Sequence, residues 1–171
     1  MWVRSEYAGE LAVVAAWLAA LLPWSVSVVP QAYGLVVIRF VFFRVQYVTG
    51  ASLSTNVSRP FLFVFQMPGF HGTADLVTAS EIWLAGAGVV ALAVALSVVY
   101  YGFEERVEAS PVDPVRLMGG LLVVGALVHT VSLYLFFQAQ PTYPVGVVLM
   151  WVLAAVLLGV ERTDGSPDPA T

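Results

Sequence analysis

Cysteine is absent from the 171 residues. That excludes disulfides, thiolate metal sites and a cysteine nucleophile, and leaves the redox compartment unread. Lysine is absent too: the seven basic residues are all arginine, set against eleven acids, for a formal charge of −4. Two explanations fit a lysine-free acidic chain. One is a salt-rich cytoplasm, where carboxylates keep surfaces hydrated and their repulsion is screened; the other is a genome that favours arginine codons. No nucleic-acid partner is expected of such a chain. Charge of either sign is scarce, at 11% of residues, where a soluble domain carries about 25%.

What fills the chain instead is apolar: 60% of residues are hydrophobic and the mean hydropathy is +0.87. The stretch from Arg116 to Val160 is the clearest. It runs apolar from Leu117 to Phe137, breaks at Gln138-Ala139-Gln140-Pro141, and resumes from Pro144 to Val160. At 1.5 Å per residue each run is about long enough for a ~30 Å hydrocarbon core, the second only just. Two such runs joined by an uncharged turn read as a membrane hairpin.

Two earlier runs have the same character. Leu11 to Val29 reads as an uncleaved first helix, bent at Pro23, with Trp24 near the outer interface. A signal peptide fits less well, because the segment before it carries Glu6 and Glu10 and the run continues past Pro23. Ser80 to Tyr101 is the second span, with Thr78 or Ser80 as N-cap and Glu81 in the first turn. Ala87, Ala91 and Ala95 make a smooth ridge along it for close helix contact.

The expected architecture is therefore an α-helical integral membrane protein, one domain over residues 1–171. Its four transmembrane helices fall at about 11–29, 80–101, 117–137 and 144–160. Residues 30–78 form an outer segment, 102–116 a cytoplasmic loop and 161–171 a disordered tail. Within the outer segment, Leu35 to Tyr47 is rich in β-branched and aromatic residues and carries Arg39 and Arg44, each of which would cost roughly 2.5–3.5 kcal/mol near a helix centre. It reads as a strand paired with Phe61 to Gln66 in an extracytoplasmic β-hairpin. The alternative is an interfacial or re-entrant helix over Tyr33 to Val48. In one unbroken strand the two arginines would point to opposite faces, so a bulge or twist is expected if both reach water. Arg4, Arg106, Arg116 and Arg162 lie on one side of four spans, and Arg39, Arg44 and Arg59 on the other. The positive-inside rule then places both termini in the cytoplasm.

His129 is the titratable group placed mid-span. It could serve as a proton relay, an axial haem ligand or a ligand contact, or simply be a neutral imidazole pinning two helices. His71 and Asp75 are four apart in a loop, and a metal site would need Glu81 as a third ligand. We expect no metal and no bound cofactor. Arg39, Arg44 and Arg59 could hold an anion or a lipid headgroup, or snorkel to the interface. Ser52, Ser54, Thr55 and Ser58 lack a visible base and orienting acid, so no catalytic set is read. Asn56-Val57-Ser58 matches a glycosylation sequon.

Trp2 to Leu11, Leu22-Pro23-Trp24-Ser25, Asp113 to Gly120 and Pro144 to Val148 together resemble a family of haloarchaeal multi-pass membrane proteins of unknown function. More faintly, the Pro-Trp, Asp-Pro-Val-Arg and Pro-Val-Gly entries resemble small membrane proteins associated with archaeosortase systems. The resemblance implies a haloarchaeal cell membrane and brings no catalytic residue. Archaeosortases use a cysteine, which this chain lacks.

Three functional readings follow. The first is a non-enzymatic accessory or scaffolding subunit, contacting lipid, a membrane-protein partner or a second copy of itself. The second is a small transporter or ligand-binding bundle using His129 and the outer arginines. The third is a membrane-embedded enzyme.

Overall fold

The computed structural model describes residues 7–29, 34–49, 59–70, 73–103 and 113–160. His71 and the sequon at Asn56 lie outside them, as do Ser52, Ser54, Thr55 and Ser58. Four α-helices, a five-stranded antiparallel sheet and a single 3-10 turn at Val64–Gln66 make up the described chain. The helices are α1 (Ala8–Leu21), α2 (Ala74–Gly102), α3 (Pro114–Ala139) and α4 (Val145–Gly159). The strands are β1 (Pro23–Val29), β2 (Leu35–Phe40), β3 (Phe43–Val48), β4 (Phe61–Phe63) and β5 (Thr142–Tyr143), in the spatial order β4-β3-β2-β1-β5.

The helices pack through small residues. On α1 the buried face is Ala8, Ala12, Ala15, Ala16, Ala19 and Ala20, while Val14, Trp17, Leu18 and Leu21 point outward. That is the reverse of a soluble helix, which buries its large apolar side chains, and it matches the small-residue packing of helices in lipid. Gly125 lies against Val90, and Ser132 Oγ donates to the Ala79 carbonyl at 2.8 Å, clamping α3 to α2. Gly9 meets Tyr100 and Gly119 meets Leu157, so the start of α1, the end of α2, the start of α3 and the end of α4 share one end of the bundle. Asp113 caps α3 by accepting from the Val115 N–H at 2.9 Å, with Pro114 at the first helical position.

Two helices, α2 with 29 residues and α3 with 26, are long and apolar enough to cross a membrane; α1 with 14 and α4 with 15 are shorter. The expected first span at 11–29 is corrected here. Pro23 ends the helix instead of bending it, because the residue before a proline is pushed out of the α region; Leu22 is extended, at φ −81° and ψ 146°. The β-branched and serine residues that follow continue as β1. Helix α2 also begins earlier than expected, with Thr73 rather than Thr78 or Ser80 in the N-cap position and no capping bond from its side chain.

Leu35 to Tyr47 is likewise neither one strand nor a helix. A two-residue turn at Val41-Phe42 folds it into β2 and β3, and Phe61–Phe63 adds as a short third strand on β3. Gly34, at φ +72°, accepts from both the backbone N–H and the hydroxyl of Thr49 and closes the open end of that hairpin. The tip of the hairpin reaches into the bundle, where Trp83 Nε1 donates to the Val41 carbonyl at 2.9 Å.

Candidate functional site

The sheet is inside out. Alternate residues Ser25, Ser27, Arg39, Arg44, Gln46 and Thr142 face the helices and are buried, with Val37 and Leu62 as buried apolar neighbours in register on that face. The opposite face carries Phe40, Phe43, Val45, Phe61, Phe63 and Tyr143, half-buried or exposed. A sheet with one face on a core ordinarily shows the reverse alternation.

At the centre of the polar face Arg39 and Arg44 stand directly opposite in register. Directly paired residues lie about 5 Å apart at Cα and share a face, and like charges so placed repel. The turn at Val41-Phe42 resets the alternation that would have set them on opposite faces. Neither reaches water, contrary to the expectation from sequence: their exposures are 0% and 3%. Arg39 Nη1 donates to Ser27 Oγ at 2.5 Å, and its guanidinium lies 4.0 Å from the centroid of the Phe136 ring in the last turn of α3. The Arg44 guanidinium lies 4.2 Å from the Phe70 ring. Ring faces and the negative end of a helix favour cations, but neither replaces a counter-ion.

Among the described residues no carboxylate answers this pair. The ion pair they contain is Arg116 with Asp113, 3.7 Å apart at the start of α3. Arg39 Nε, Arg44 Nε and Arg44 Nη2 are buried without a hydrogen-bond partner among the described residues. An arginine guanidinium keeps its proton at neutral pH, so both side chains are cations.

A line of hydroxyls ties the pair to the bundle. Ser27 Oγ accepts from Arg39 and sits 2.7 Å from Thr142 Oγ1, which donates to the Gln140 carbonyl at 3.0 Å. The serine proton is thus directed to Thr142. Ser27 orients Arg39 while leaving its Nε free. Sequence reasoning missed Ser25, Ser27, Gln46 and Thr142; the signal was the polar alternation Ser25-x-Ser27 inside an apolar run.

His129 is fully buried on α3, edge-on to Trp24 at 5.1 Å between ring centroids. Its Nδ1 lies 2.8 Å from the Gly125 carbonyl one turn back, so Nδ1 carries the proton and Nε2 is left as an acceptor without a partner among the described residues. The histidine is fastened within its own helix. Gly86 on α2 provides the room: a Cβ there would strike the imidazole. Asp75 and Glu81 are exposed on α2, and no three metal-ligating side chains gather among the described residues. Arg59 is exposed in a left-handed backbone conformation, φ 58°, and does not join Arg39 and Arg44.

Fold and site together define a small-residue helix bundle that holds two buried arginines under a polar-faced sheet. The chain belongs to a family of unknown function, DUF7549, whose model matches residues 1–162. No curated protein matches it.

Proposed function

We propose that this chain is a small integral membrane protein, a non-enzymatic subunit that holds an anionic group between its sheet and its helices through Arg39 and Arg44. The observation that carries the reading is the buried cation pair, which among the described residues has three unpartnered N–H-bearing nitrogens and no acid beside it. A buried charge without a partner costs several kcal/mol. A phosphate or carboxylate supplies both the opposite charge and acceptors matched to the guanidinium fork. The membrane setting is supported by the two long apolar helices and by the outward-facing large side chains of α1. A haloarchaeal cell membrane with cytoplasmic termini remains our placement of it, from the resemblance and the arginine distribution.

The test is thermal unfolding in mild detergent with increasing inorganic phosphate or acetate. A ligand that binds only the folded state raises stability with the logarithm of its concentration, by about 2.7 kcal/mol at a hundred times its Kd. The unmodified protein should show this rise and the double variant Arg39→Gln, Arg44→Gln should not. Equal responses would remove the reading.

An accessory subunit that docks a partner helix is the second reading, favoured by Ala91 and Ala95, which lie exposed on α2. A partner recovered from mild detergent and lost on Ala91→Leu would support it.

A further inference from the structure

We infer that the outward face of the sheet lies in the acyl-chain region of the bilayer, in the leaflet away from the start of α1 and the end of α4. The inference rests on the membrane reading above and goes beyond it. The helices alone do not then form the transmembrane wall; β1, β2 and β3 complete it.

Length gives the first argument. At 1.5 Å per residue the 14 residues of α1 and the 15 of α4 cover about 21 and 22 Å, short of a ~30 Å core. On α1 the chain continues without a break into β1, whose 7 residues add up to about 23 Å along the strand. The crossing is finished by a strand.

Depth gives the second. Trp83, the tenth residue of α2, holds the hairpin tip through Val41. The tip therefore sits about 13 Å inward from the outer end of α2. The 29 residues of α2 run about 43 Å, so each end overhangs a ~30 Å core by about 7 Å. The tip then lies roughly 6 Å inside the hydrocarbon.

The third argument is the face itself. Phe40, Phe43, Phe61, Phe63 and Phe65 form a continuous aromatic row with neighbouring centroids 4.5 to 5.4 Å apart. Phe61, Phe63 and Phe65 are 45%, 46% and 65% exposed. Lipid tolerates sheet only where backbone groups are satisfied. Here β2 is paired on both sides, while β5 pairs with β1 at Val26 and Ser27 and β4 pairs with β3 from Phe43 to Val45. The Gln46 and Val64 N–H groups extend the pairing to the carbonyls of Pro60 and Phe42.

The natural absence of cysteine makes the test direct. Single Phe61→Cys, Phe63→Cys, Tyr143→Cys and Leu127→Cys variants are spin-labelled and placed in lipid vesicles at low protein density. Collision rates with oxygen, which concentrates in hydrocarbon, and with a water-soluble nickel chelate are then compared. The account expects Phe61 and Phe63 labels to match the α3 label at Leu127: oxygen-rich and nickel-poor. Nickel access at the sheet labels with Leu127 protected would overturn the inference and leave the membrane reading standing. Nickel access at Leu127 as well would overturn both. Dipolar broadening with neither collider would mean a second copy covers the face, and would also overturn it.

Discussion

Arg39 and Arg44 face each other across a two-residue turn, both buried, with three of their nitrogens unpartnered among the described residues. Cross-strand like charges destabilise a sheet even when exposed. Burying them raises the cost, and the cation–π contacts with Phe136 and Phe70 offset only part of it.

The first prediction turns that cost into a sign. In protein exchanged into anion-poor buffer, Arg44→Leu should leave stability unchanged or raise it, by up to about 4 kcal/mol, because an apolar side chain replaces an unpaired buried charge. Thermal unfolding in detergent reads this. A loss of more than about 2 kcal/mol would mean that Arg44 already has the partner it needs.

Trp83→Phe should cost about 1–3 kcal/mol by stranding the Val41 carbonyl at the hairpin tip. Trp151→Phe loses an exposed bond to Thr130 and should change stability by less than about 0.5 kcal/mol. Equal effects in unfolding experiments would argue against a seated tip.

Two glycine substitutions should separate cleanly. A Cβ at Gly146 would overlap the Pro23 carbonyl and the Trp24 backbone, whereas Gly88 has open space around it. Gly146→Ala should push α4 away from β1 and abolish a sharp melting transition. Gly88→Ala should melt at or slightly above the unmodified protein, since alanine favours helix by about 1 kcal/mol.

How much of this was legible in the sequence depends on which force acts. Apolar runs at 80–101, 117–137 and 144–160 mark helices because length and hydropathy are local properties, and α2, α3 and α4 stand over them. The strand character of Arg39 and its neighbours was readable from β-branching. The turn at Val41-Phe42 was not, because it contains none of the Gly, Asn, Asp or Pro residues that announce a turn. Trp83 holds it by a contact 42 residues away in sequence. Missing that turn moved the arginines from one buried face to a solvated one, and so hid the site. Arg59 looked equivalent to them by composition, and the structure leaves it exposed.

Topology is a further expected outcome. With cytoplasmic termini, a cysteine at Gln140 should label with an impermeant thiol reagent in intact cells and one at Asp164 should not. Labelling at Asp164 without Gln140 would reverse the orientation.

Native mass spectrometry of the protein released from mild detergent tests the central claim most directly. The account predicts one small anion or anionic lipid retained per chain, lost when Arg39 and Arg44 are both glutamine, with unfolding midpoints within a few degrees. The same bound species at the same occupancy in the double variant would contradict it.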